Sequence, residues 1–185
     1  RRQIRIADDE EASVALQFRM GQIYQLSMQD LPHAIEAYRE ILNINPEHRP
    51  TLESLELIFA EGEHQTEIAE ILEPIYYSSE NWEQLVKLGE VKLGATEDVN
   101  DRLSIVQNVA EISERRLGNP GEAYIWWLRA YMDDPQNPSV CDEVDRLAEL
   151  TQEWGYIVEV GNQILETEGG VSPEAQRAVL SRSAK

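Results

Sequence analysis

Four landmark residues of this 185-residue chain recur at one fixed spacing. Ala34, Tyr38, Ile41 and Pro46 each lie 89 residues before Ala123, Trp127, Ala130 and Pro135 (34 to 123, 38 to 127, 41 to 130, 46 to 135). A constant offset between small, aromatic and terminal-proline positions is the signature of a repeat array. Units of that kind bury their apolar faces only by stacking on neighbours. The stretch 103–135 reads as two antiparallel helices, so the repeating element is a helical hairpin. Composition agrees: Glu, Gln, Ala, Leu and Arg dominate, and Gly and Pro collect at boundaries.

In chain order, Arg1 to Asp8 reads as the end of an earlier helix. A first helix follows from about Glu10 to Ser27, with Val14, Phe18, Gly21 and Tyr24 on one side. Gly21 is costly there unless a neighbour approaches closely. Leu31 to Asn43 forms the next helix, with Asp30 as N-cap, Pro32 in the first turn, and Ala34, Ile35, Tyr38, Ile41 and Leu42 as its apolar face. Between His48 and Gln65 lies a segment without a counterpart. Its Leu52, Leu55, Leu57, Ile58 and Phe59 predict an extra short helix ending near Gly62. The helix from Thr66 to Tyr77 contains Pro74, which predicts a kink or a split.

Asn81-Trp82-Glu83-Gln84 opens another helix with a capping-box-like start. Trp82, Leu85, Gly89 and Leu93 recur as Trp154, Ile157, Gly161 and Leu165, a second repeat subtype at an offset of 72 (82 to 154, 93 to 165). Further helices run from about Glu97 to Leu117, from Asn119-Pro120-Gly121-Glu122, from Asn137-Pro138 to Leu150, and from Trp154 to Glu166. Gly169-Gly170 breaks the chain before a last helix starting at Ser172-Pro173.

The pattern A-x3-[aromatic]-x2-A-x4-P resembles the tetratricopeptide repeat family. Ala123, Trp127, Ala130 and Pro135 carry the sharpest copy; Gly21, Tyr24, Ala34, Tyr38 and Pro46 carry the other. Gly21 to Ala34 and Ala110 to Ala123 each span 13 residues, one more than is usual in that family, which implies an elongated inter-helix turn. The subtype with Gly89 and Gly161 departs further and is similar to the alternating repeats of large bacterial scaffold proteins. The resemblance implies an all-α, right-handed α-solenoid of antiparallel hairpins with about ten helices, occupying residues 1–185 as one fragment. Repeat-like units start near 14–47, 66–99, 103–137 and 138–171, with the extra helix within 48–65 and a terminal helix at 172–185. An odd helix in an alternating stack is expected to pack at its edge or to change its curvature.

The formal charge is −19, from 35 acidic against 16 basic residues. Such a field repels phosphate backbones and anionic lipid surfaces, and no apolar run approaches a membrane span. Solubility alone accounts for an acidic surface of this kind; where it serves a partner, a basic or mixed protein or peptide is the one it favours. Cys141 alone permits neither an intrachain disulfide nor a cysteine-based metal cluster. That fits a reducing, cytoplasmic setting and is compatible with the periplasm.

Little in the sequence points to catalysis. Glu61-Gly62-Glu63-His64 has E-x-x-H spacing, but a di-iron site needs two such motifs and two further carboxylates; a solvated turn is the expectation. His33 and His48 read as exposed or loop residues. No nucleophile elbow, P-loop or dinucleotide fingerprint is present, and no cofactor or metal is expected. Trp82, Trp127, Tyr38 and Trp154 occupy landmark positions and are expected in the core; Trp126 is expected to pack between repeats.

In the family that the chain resembles, first helices of successive hairpins line a concave groove that holds peptides. Carried onto this sequence, the groove residues are Phe18, Gln22 and Gln25, then Gln107, Glu111, Glu114 and Arg115, then Asp142, Arg146 and Glu149. The family's peptide-carboxylate clamps use basic residues, for which Arg115 and Arg146 are the candidates. The expectation is a non-catalytic interaction scaffold. A structural spacer in a longer array is the alternative, and an enzyme with a site between helices a more remote one. Apolar faces at the ends of a repeat fragment also allow a dimer.

Overall fold

The computed structural model describes residues 2–166, with side chains from Glu11 onward. All regular secondary structure among the described residues is helical, and they contain no strand. Nine α-helices are α1 (Arg2–Gln22), α2 (Leu31–Ile44), α3 (Arg49–Ala60), α4 (Gln65–Ser78), α5 (Trp82–Ala95), α6 (Val99–Glu111), α7 (Pro120–Asp133), α8 (Pro138–Thr151) and α9 (Gly155–Glu166). The all-α class is therefore as the sequence predicts. Gly169-Gly170 and the helix expected from Ser172 lie outside the described residues. No helix among the described residues is long and apolar enough to cross a membrane.

The chain packs as two compact units, Arg1–Glu80 and Asn81–Lys185. The boundary falls between α4 and α5, inside the stretch 66–99 that reads from sequence as one repeat.

In the first unit, α1 packs along α2, and α3 packs on both α2 and α4. The segment before Asp8 is not the end of a separate helix; it runs unbroken into α1. All five apolar residues expected on α2 are buried, with Tyr38 fully so. Gly21 answers the cost argued from sequence: a Cβ there would lie 2.5 Å from a Tyr38 ring carbon. The glycine thus lets α1 and α2 close over the ring. Pro74 does not split α4, which runs continuously through it. In α3, Thr51, Leu55 and Ile58 are the buried residues. His48 lies in the loop before α3, as expected, and is half-buried there. It bonds Thr51 Oγ1 at 2.8 Å and sets its ring edge-on to Phe18 at 5.4 Å.

In the second unit, α5 packs on α6, α6 on α7, and α7 on α8 and α9. Trp126 and Trp127 are both buried. Trp126 turns toward α5, where a Cβ on Gly89 would touch its ring at 3.5 Å, as inter-helix packing predicts. Two tryptophans depart from expectation. Trp82 is half-buried beneath the Arg116 guanidinium, 4.9 Å above the ring. Trp154 precedes α9 instead of joining it and is 44% exposed. Asn81 also makes no side-chain cap bond, so the capping box is not formed.

The extra residue of each hairpin is not in the turn. α1 continues into a π-helical segment, Ile23–Met28, and α6 into another, Ile112–Arg116; both begin at the same point of the repeat, 89 residues apart (23 to 112). The turns that follow match as well. Gln29 and Gly118 hold left-handed backbones (φ 54° and 65°). The N–H groups of Asp30 and Asn119 then donate back to the Tyr24 and Ser113 carbonyls at 2.9 and 2.8 Å. The Asp30 side chain accepts from His33 N–H, and the Asn119 side chain from Glu122 N–H, at the next helix start. A left-handed residue followed by a working N-cap pins the turn's length. The surplus residue is taken up in the helix as a π-bulge.

Candidate protein-interaction cleft

The second unit brings together most of the groove residues expected there. α6 and its π segment, with α8 opposite, form the walls of a cleft of about 590 Å³ whose floor is Trp127 on α7. Gln107, Glu111, Glu114 and Arg115 line one wall; Ser139, Asp142, Glu143 and Arg146 line the other. Glu149 is exposed on α8 but is not part of the lining.

Ion pairs set the cleft's electrostatics. Arg146 reaches 32 residues back to grip both oxygens of Glu114, at 2.8 and 2.7 Å, and also bonds Glu143 within its own helix. Such a two-point grip fixes orientation as well as charge. The Arg146 hydrogen bonds hold the Glu114 carboxyl below its ordinary range, against a smaller opposing effect of burial. The same bond pushes the guanidinium's pKa up. Arg115 pairs with Glu111 at 2.8 Å. Both candidate clamp arginines are therefore committed to carboxylates of the cleft itself. Four acidic groups face two basic ones, and Asp142 is the carboxylate with no ion pair among the described residues. Chemically the cleft can accept hydrogen bonds and neutralise an incoming cation.

Phe18, Gln22 and Gln25 have another place. Phe18 packs on the Tyr38 ring (5.8 Å between centroids), and Gln25 accepts the Tyr38 hydroxyl hydrogen bond at 2.8 Å; Gln22, the last residue of α1, is half-buried. In the first unit Phe18 and Gln25 support the packing against Tyr38 of α2. The cleft there, about 530 Å³, lies between α2 and α4 and is lined by Leu42, Pro46, Ile71, Pro74 and Ile75 among others. Sequence reasoning missed it. Its available signal was Pro74, which has no N–H for the carbonyl of Glu70 on the same face, and Glu70 also lines that cleft.

His64 takes a left-handed conformation at the start of α4, with Nδ1 3.3 Å from Glu67. Among the described residues no group of three or more His, Cys, Asp or Glu side chains could hold a metal ion. No protein-family model, curated protein or solved structure matches this chain.

Proposed function

We propose that this chain is a tetratricopeptide-like scaffold, a right-handed stack of helical hairpins that binds a basic or mixed protein segment and catalyses no reaction. The reading rests on the cleft between α6 and α8. Its acid excess, with Asp142 unpaired among the described residues and both arginines already engaged, suits a Lys- or Arg-bearing segment. A peptide's C-terminal carboxylate finds no spare cation there. The internal repeat, with its matched bulges and caps, supports the family reading.

The test is titration of labelled basic, mixed and acidic peptides against the chain, beside a Glu111→Ala, Asp142→Ala double variant. Basic or mixed peptides should bind, lose affinity as salt is raised, and bind the variant more weakly. Binding equal in the variant would remove the cleft as the site. A structural spacer is the second reading. It is favoured by Arg146, whose fork is filled by Glu114 and Glu143 without any ligand. No binding by any peptide class would favour the spacer.

A further inference from the structure

The two bulged hairpins differ most on the outer face of their first helix. In the second unit α5 covers that face. It packs on α6 and on the π segment, leaving Val109 and Ile112 only 3% and 5% exposed. The residues at the same repeat positions in the first unit are Met20 and Ile23 (20 to 109, 23 to 112), which are 52% and 49% exposed. Leu16, one turn earlier, is 66% exposed. The first unit thus presents an apolar strip on a backbone that, in its counterpart, carries a helix.

We propose that the Leu16, Met20 and Ile23 strip is a docking surface for an amphipathic partner helix, and that its neighbours on α2 define that helix. In the second unit Trp126 of α7 projects toward α5, which makes room with Gly89; a Cβ there would also run into Val109. Arg129 stacks on Trp126 at 4.5 Å and pairs with Glu90 of α5. At the matching positions the first unit has Ala37 and Glu40 (37 to 126, 40 to 129). The indole has become a methyl group and the cation an anion, an exposed carboxylate that accepts one hydrogen bond from Gln17 Nε2 at 3.1 Å. The occupant therefore carries a large apolar side chain where α5 has Gly89 and a basic one where α5 has Glu90. Volume and charge are both complementary to what the face offers.

The α5 sequence itself supplies the probe: a capped peptide of residues 82–95, stapled on its outer face because a free helix of that length is marginal. Four versions are titrated by fluorescence anisotropy against the full chain: the parent, Gly89→Leu, Glu90→Arg, and both together. The doubly changed peptide should bind at least about tenfold tighter than the parent, from the added buried side chain and the ion pair. Met20→Glu in the chain should abolish binding with helicity unchanged. Glu40→Arg should reverse the preference between Glu90 and Glu90→Arg peptides. Equal binding of parent and doubly changed peptides, binding that survives Met20→Glu, or no binding at all would each overturn the proposal. So would a dimer of the chain alone that Met20→Glu dissolves, since a second copy would then be the occupant.

Discussion

The hairpin of α1 and α2 and that of α6 and α7 share a backbone plan and diverge in what they place on it. Both break into a π segment at the same position, turn through a left-handed residue and restart on an Asx cap. Yet the first closes a glycine over a tyrosine, while the second sets Ala110 at Gly21's repeat position and Trp127 at Tyr38's. The first leaves its outer face apolar and open; the second buries it under α5 through Trp126 and Gly89. Backbone geometry here follows from caps, turn residues and chain length. Side-chain volume and charge decide which neighbour each hairpin takes.

Trp126→Ala puts the small residue of the first hairpin into the second. Because Trp126 is 1% exposed, it should cost about 3–5 kcal/mol in urea denaturation; under 1 kcal/mol would mean that α5 closes the hole and that the hairpins are more alike than described. Gly21→Ala tests the first hairpin's close approach. The new methyl gains about 1 kcal/mol in helix propensity but must displace the buried Tyr38 ring, an overpacking cost of about 1–3 kcal/mol. The variant should be destabilised, and a rise in melting temperature would refute the contact. Gln29→Gly gives the first turn the residue of the second. Relief of a left-handed non-glycine backbone should stabilise by about 1 kcal/mol, and Gly118→Gln should cost a similar amount.

The smallest effect belongs to acid. Glu114's pKa is depressed in the folded chain, so protonation favours unfolding. Its contribution is whole above the ordinary carboxylate value of 4.5 and fades as pH falls through the lower folded value. Thermal melts should therefore show a shallower loss between pH 5 and 3 for Glu114→Gln than for the natural chain, by an amount kept modest by solvent access; parallel curves would separate Glu114 from the acid sensitivity of this unit. The pH limits are roughly the span over which a carboxylate titrates.

What could be read from the residues was what local chemistry determines. Asp30, Asn119 and Asn137 announce helix starts because a short polar side chain satisfies N–H groups at that point. Ala34, Tyr38 and Ile41 announce a buried face through their spacing. The residues of the α6 to α8 cleft came by another route, from the resemblance, which implies that first helices of successive hairpins face one groove; six of the seven named there line it. Two things were not legible. The surplus residue is equally compatible with a long turn or a bulged helix; the choice depends on which backbone hydrogen bonds are satisfied, and spacing does not record that. The fate of Phe18 and Gln25 depends on the Tyr38 hydroxyl, 13 residues away from Gln25, and a single-helix pattern holds no information on such a pair. Trp154 erred for a simpler reason: α9 starts one residue later than the matched pattern requires.

The paired bulges make the two hairpins interchangeable cassettes. Each residue advances an α-helix by about 100°, so a single surplus residue puts the part of α1 before the bulge out of phase with the part after it. α6 carries the same phase step at the same place. Residues 99–134 could therefore replace residues 10–45 with every cap and left-handed turn in frame. A bulge-free helix of matching length would instead put the residues before the bulge, Gly21 at Tyr38 among them, out of register with those after it. A lineage that duplicates and shuffles such hairpins can thus rewrite their faces freely, provided that it copies the flaw along with the helix.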